Sequence, residues 1–411
     1  MDVTFSNVYQ HSQHQCQISP DNKYVANASG TTVVIRGHSE KMIVMHVFET
    51  NHPVDWMGWA PNSQYLATMN LQHSIANVWS INDTNTKITL SDRRFGMAQA
   101  WWSPDSSTLL VSSDLDLRIT LWMFIKNEIK YLYQPKIMDI GCVPSPDGKY
   151  MAIVEKKENK DYVNILDGKS FVLLQHFVLE TTDVVKLVWS PDSLFLAAID
   201  NCLYYKVVIY RLDGQQEFSY SAYEHGLGIK SIAWHGKLLA IGSYDGSIRL
   251  INTSSWQVVT TLSQANIIKA GKQEALTIYE EYQLPNMTQP TLDAKVGYQL
   301  ISRRPLPLPL LRPEYNKHDP SIGIGECHFC MNGSLLATKN DAMPTTLWIW
   351  DLRTLDVCLI ILQMNPVRHI KWNPKRPHLL AMVCGDENVY LVYPDANAAL
   401  KIVPIAVPIG K

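Results

Sequence analysis

The amino-acid sequence predicts an all-β chain folded as a β-propeller of about eight four-stranded repeat units, with ring closure left open at the C-terminal end. Three observations predict it. A motif recurs along the chain: an apolar or Trp anchor, then Ser/Asn-Pro-Asp/Asn, a few polar residues, then an aromatic-aliphatic-Ala run. The anchors Ile18, Trp59, Trp102, Pro144, Trp189, Trp234, Phe329 and Trp372 stand 41, 43, 42, 45, 45, 95 and 43 residues apart. A period of about 43 belongs to four-stranded propeller blades. Finally, a β-rich third segment follows every anchor, at 33–36, 76–80, 119–122, 163–166, 207–210, 248–251, 347–351 and 389–393.

Local chemistry accounts for each element in order. An alternating strand precedes the anchor, as at 54–59 and 229–234. Pro fixes φ and Asp or Asn accepts local backbone hydrogen bonds, so Ser-Pro-Asp makes a tight turn. A continuous apolar run follows (Tyr65-Leu66-Ala67, Phe195-Leu196-Ala197-Ala198), as expected of a strand covered on both faces. A second polar turn leads to the third strand; Tyr244-Asp245-Gly246 carries the hairpin signature there. Aliphatic segments such as 42–48 and 258–262 close the units as outer strands. The units fall near 10–50, 51–92, 93–134, 135–180, 181–222, 223–262, 322–364 and 365–404, and a strand at 3–9 is expected to help close the ring.

The long interval marks an insertion at 263–321, expected as a loop on one face of the propeller. Within it, 275–280 and 295–302 have strand composition, and 303–313 is Pro-rich. Its prolines Pro305, Pro307 and Pro309 alternate, whereas polyproline readers want them three apart. An extended apolar segment flanked by Arg303, Arg304 and Arg312 is a candidate partner contact, the alternative being a rigid linker lying on the propeller surface.

Composition narrows the functional classes. The 411 residues carry a net charge of −2, with no basic excess to hold nucleic acid directly. Apolar runs such as 357–362 are far shorter than the ~18 residues of a membrane helix, so no membrane partner is expected. The first ten residues lack the pattern of an export signal. Seven scattered cysteines fit a reducing compartment. These features predict a soluble, intracellular protein.

Several patterns that resemble chemistry have plainer readings. Gly226-x-Gly228-x-Lys230-Ser231 has the wrong spacing for a phosphate loop and runs into a strand. Cys327-x-x-Cys330 lacks a second ligand pair, and His11-x-x-His14 has no nearby carboxylate. Asp92-Arg93-Arg94-Phe95-Gly96 holds the elements of a phosphoinositide-binding run in another order. No Gly-x-Ser-x-Gly or His-Glu-x-x-His occurs. No catalytic residue, metal ligand or cofactor is therefore expected. Recurrence of Trp59, Trp102, Trp189, Trp234 and Trp372 immediately before the turn predicts packing between units and not stacking platforms. Trp348 and Trp350 are expected to share that role.

The repeat resembles that of WD-repeat propellers, with Asp245 in its hairpin position and one full Trp-Asp ending at Trp350-Asp351. The segments 221–252 and 322–352, with 116–122, 160–163 and the placement of the insertion, resemble the WD-repeat protein eight family. That resemblance implies a non-catalytic centrosome or spindle-pole protein of the cytoplasm, part of the microtubule-organising centre. It implies a coiled-coil anchoring partner and a minus-end-directed kinesin-14, which together anchor microtubule minus ends in the mitotic spindle. It further implies one more C-terminal repeat unit, which would begin near 406–411. A propeller subunit of an RNA or translation complex and a propeller hydrolase are the alternatives.

Overall fold

The computed structural model describes residues 9–12, 15–39, 41–83, 87–136, 142–269, 276–284, 296–312, 320–394 and 400–406. Nearly all the regular structure is β. The sole helical element among the described residues is a three-residue 3-10 turn, Asp114–Asp116. The strand expected at 3–9 lies, apart from Tyr9, outside the described residues, as do His14 and Pro313.

Among the described residues, eight four-stranded antiparallel arrays follow one another, each with its strands in chain order; the seventh is extended by strands of the insertion, and a short two-stranded sheet stands apart. The first runs Cys16–Ile18, Tyr24–Ser29, Thr32–Gly37, Val44–Glu49, and the second Trp56–Trp59, Tyr65–Asn70, Ile75–Ser80, Lys87–Ser91. The third runs Ala100–Trp102, Leu109–Ser112, Arg118–Met123, Glu128–Tyr133, and the fourth Cys142–Pro144, Tyr150–Lys157, Lys160–Asp167, Leu173–Val178. The fifth begins at Val184–Trp189, the sixth at Ile229–His235, the seventh at Ile324–Phe329 and the eighth at His369–Trp372. All eight third segments read from the sequence lie within third strands. The chain divides into two compact units, one of Met1–Ala198 and Ile209–Glu217, the other of Ile199–Val208 and Phe218–Ile409.

Burial explains the sequence pattern. Second strands such as Tyr65–Asn70 and Leu335–Asn340 are buried along almost their whole length, because other sheets cover both faces. Outer strands such as Glu128–Tyr133 and Leu173–Val178 are largely exposed. The outer strand of the seventh sheet, Asp356–Leu362, is the exception, with Leu359, Ile360 and Ile361 fully buried.

The insertion supplies the reason, and here the expectation of a loop is corrected. Thr277–Gln283 pairs in parallel with Asp356–Leu362, and Val296–Leu300 pairs antiparallel with Thr277–Gln283. The seventh sheet therefore has six strands. Glu281, almost fully buried, fixes the added pair: its carboxylate accepts from Tyr390 Oη (2.6 Å) and from the Met364 amide (2.8 Å).

Candidate interaction site

The repeated turns show where the motif residues go. In the first unit Ser19 Oγ donates to Asp21 Oδ1 (2.7 Å) and accepts from the Tyr24 amide (2.9 Å). Ser103 and Ser145 repeat the arrangement. Its charge is visible at Asp147, whose carboxyl the Ser145 hydroxyl holds down at about 2. Cys330 replaces the serine in the seventh unit, donating to Asn332 Oδ1 (2.9 Å) and accepting from the Leu335 amide (3.1 Å). The Cys-x-x-Cys pair is thus turn and core chemistry, with Cys327 and Cys330 both buried. No group of three or more potential metal ligands exists among the described residues.

The anchor tryptophans bind neighbouring units together. Trp59 Nε1 donates to Gln17 O (3.2 Å), Trp102 to Gly58 O (3.0 Å), Trp189 to Val143 O (2.9 Å) and Trp372 to His328 O (2.8 Å). Each indole thus reaches the first strand of the preceding sheet. Trp234 departs from the rule: its N–H has no partner, and the ring packs edge-on against Trp256. Trp350 Nε1 donates to Thr338 Oγ1 (2.9 Å) while its ring stacks on Trp348. Asp351 accepts from Arg353, whose guanidinium lowers its pKa. Asp245 accepts from Arg249 (2.7 Å) and from the Ser247 amide (2.9 Å) across the hairpin, where Gly246 takes a φ of +77°.

A second set of clips was not read from the sequence. Ser63, Ser106 and Ser193 occupy the fourth turn position with φ near +60°, a region that serine seldom adopts. Their hydroxyls accept from turn amides of the preceding unit: Asp21 N to Ser63 (3.1 Å), Asn62 N to Ser106 (3.0 Å) and Asp147 N to Ser193 (3.2 Å). The recurrence of Ser at a place suited to Gly or Asn was the available signal.

Other sequence patterns are spent on packing. Lys230 pairs with Asp341 (2.9 Å) and Ser231 Oγ donates to Ile324 O (2.7 Å), so the Gly-x-Gly-x-Lys-Ser run frames no phosphate. Asp92 pairs with Arg118, whose guanidinium also lies 3.9 Å from the Phe95 ring and 4.2 Å from the Tyr131 ring. Arg93 and Arg94 are exposed.

The Pro-rich segment is left as the candidate surface. Leu306–Pro307 pairs with Ile267–Ile268, and the amides of Leu308 and Leu311 donate to Asn266 O and Ala342 O. Leu306 and Leu308 enter the core, while Pro305, Pro307 and Pro309 face outward. Alternation here is therefore strand periodicity, with the residues that lack an N–H on the outside. Arg304 is half-buried and donates to Ile301 O (3.1 Å) and Arg303 O (3.0 Å). Arg303 and Arg312 are exposed, beside Leu310 and Leu311 at 54% and 53% exposure. Leu310 also borders a cleft of about 420 Å³ with Tyr244, Asp245, Asn266 and Ile322. The result is a pinned ridge, basic at both ends and apolar between.

Comparison with known proteins decides the family. The mouse (Mus musculus) WD repeat-containing protein WRAP73 is 31% identical over 416 residues, covering 97% of this chain and 89% of that protein. The chain belongs to this WD-repeat family. A WD repeat-containing protein of Schizosaccharomyces pombe is 24% identical, covering 89% of this chain and 75% of its own length. The family model described as the anaphase-promoting complex subunit 4 WD40 domain matches residues 196–270. Among solved structures, a eukaryotic initiation factor matches with a TM-score of 0.60 at 12% identity, covering 98% of this chain and 93% of that one. The C-terminal WD40 domain of Sif2 matches at 0.52, also 12% identical, covering 99% and 100%. These two likenesses establish the WD40 propeller fold alone. A WD-repeat protein of this kind is a scaffold for protein interaction.

Proposed function

We propose that this protein is a non-catalytic scaffold of the centrosome or spindle pole body, where it helps anchor microtubule minus ends and supports assembly of the mitotic spindle. Its partners on this reading are a coiled-coil anchoring protein and a minus-end-directed kinesin-14. The observation that carries the proposal is the resemblance of 221–252 and 322–352 to the WD-repeat protein eight family. The full-length similarity to a WD-repeat relative adds to it. The physical support is that Cys327, Cys330, Lys230, Ser231 and Asp92, which resembled chemistry, are committed to the core, turns and ion pairs. The ridge from Arg303 to Arg312 is the surface we assign to the coiled-coil partner, since basic ends with exposed leucines suit an amphipathic, acidic helix.

Affinity capture of the tagged full chain from mitotic cells tests this reading. Capture should recover a coiled-coil spindle-pole protein and a minus-end kinesin, and Arg303→Glu with Arg312→Glu should reduce both. Recovery of neither partner by the unaltered chain would overturn the proposal.

A further inference from the structure

The first strands of sheets one to four, with Met151 of the fourth sheet's second strand, frame an open cleft of about 370 Å³, walled chiefly by Ile18, Trp56, Trp59, Trp101 and Trp102. Two of these indoles, Trp59 and Trp102, are the inter-sheet anchors already described. The other two lie outside the repeat motif. The position just before the anchor, where Trp101 stands, holds Gln17, Gly58, Val143, Val188, Ala233, His328 and Lys371 in the other units. The position of Trp56, three before the anchor, varies as widely, with Gln15, Gln99 and Lys186 among its counterparts. The fold therefore has no general need of an indole at either place.

The chemistry of the cleft is specific. No charged side chain lines it, and the amide of its one polar lining residue, Gln17, is spent on Met57 O (2.8 Å). The benzo edge of Trp56 sits against Gly58, where an added Cβ would come within 2.6 Å of it. Trp56 and Trp101 are half-buried, and among the described residues their indole N–H groups meet no acceptor and are not sealed from solvent. Flat aromatic walls with two unused donors and no counter-charge select an uncharged, extended ligand rich in acceptors and poor in donors. Proline in a polyproline II helix meets that description: its ring packs on indoles, its carbonyl accepts, and it has no N–H to strand.

We propose that this cleft binds a proline-rich segment of a partner protein, with prolines against the indoles and peptide carbonyls accepting from Trp56 and Trp101. Such binding is independent of whether the protein works at a spindle pole.

Titration of the purified full chain with an acetylated decaproline peptide tests the proposal, followed by tryptophan fluorescence and calorimetry. Saturable binding is expected, with none for a Gly-Ser peptide of equal length. Trp101→Phe keeps an aromatic wall but removes one donor, and should weaken binding about fivefold, the effect of one lost neutral hydrogen bond. Its melting temperature should hold. Trp56→Phe, on a different strand, gives the same reading should Trp101→Phe fail to fold. Absence of saturable binding at millimolar peptide would overturn the proposal, as would unchanged affinity in both variants. So would binding of a trimethyl-lysine peptide in place of decaproline, which would make the cleft a cation cage.

Discussion

Ser106 carries two opposed effects in one residue. Its φ of +62° is strained, yet its buried hydroxyl satisfies the Asn62 amide at 3.0 Å. Ser106→Ala keeps the strain and loses the acceptor, so it should lower stability by about 1 to 2 kcal/mol. Ser106→Gly loses the same acceptor but relieves the backbone, recovering roughly 1 kcal/mol. Chemical denaturation should therefore rank wild type above Gly and Gly above Ala. Trp372→Phe would strand the His328 carbonyl that now accepts at 2.8 Å and cost about 1 to 3 kcal/mol by the same measurement. The Ser-Pro-Asp turn also has an acid signature. Asp147 is held at about 2 by the Ser145 hydroxyl, below the ~3.9 of an unfolded Asp. Its contribution is thus present above about pH 4 and is lost as pH falls toward 2. Ser145→Ala should move the Asp147 carboxyl titration, followed by NMR, back toward the ordinary value; an unmoved titration would show that the hydroxyl is not its cause.

At the scale of elements, the strands within repeat units were legible because each is written in a local code. A Pro-fixed turn, an apolar run and a β-branched third strand recur at a fixed period, so Trp59 or Trp189 announces both its strand and its packing role. The insertion has no such period. The sequence places β-forming residues at 275–280, but nothing local says that 277–283 will run parallel to Asp356–Leu362. That pairing depends on a sheet edge some 80 residues away, and on Glu281 meeting Tyr390 across 109 residues. The Pro-rich ridge was half legible. Alternate prolines excluded polyproline spacing, whereas the burial of Leu306 and Leu308 followed from the core that receives them. The added strand pair should matter for stability. Replacing 277–300 with a short polar linker uncovers an apolar edge at Leu359 to Leu362. The expected outcome is a lower melting temperature and self-association on size exclusion, since a bare hydrophobic edge is a template for further pairing.

For the whole molecule, length counts blades more than domains. Repeats are spaced near 43 residues, and indoles clip the first unit to the second, the second to the third, the fourth to the fifth and the seventh to the eighth, with turn serines adding to the first three of these junctions. Family membership rests on similarity along nearly the entire chain. The cellular role is the finer proposal, and it belongs to the protein as a whole. Imaging a fluorescently tagged copy at native expression through mitosis tests it most directly. The account predicts paired foci at the spindle poles that persist from spindle assembly to its disassembly. Diffuse signal throughout mitosis, from a tagged copy that supports normal growth, would contradict it.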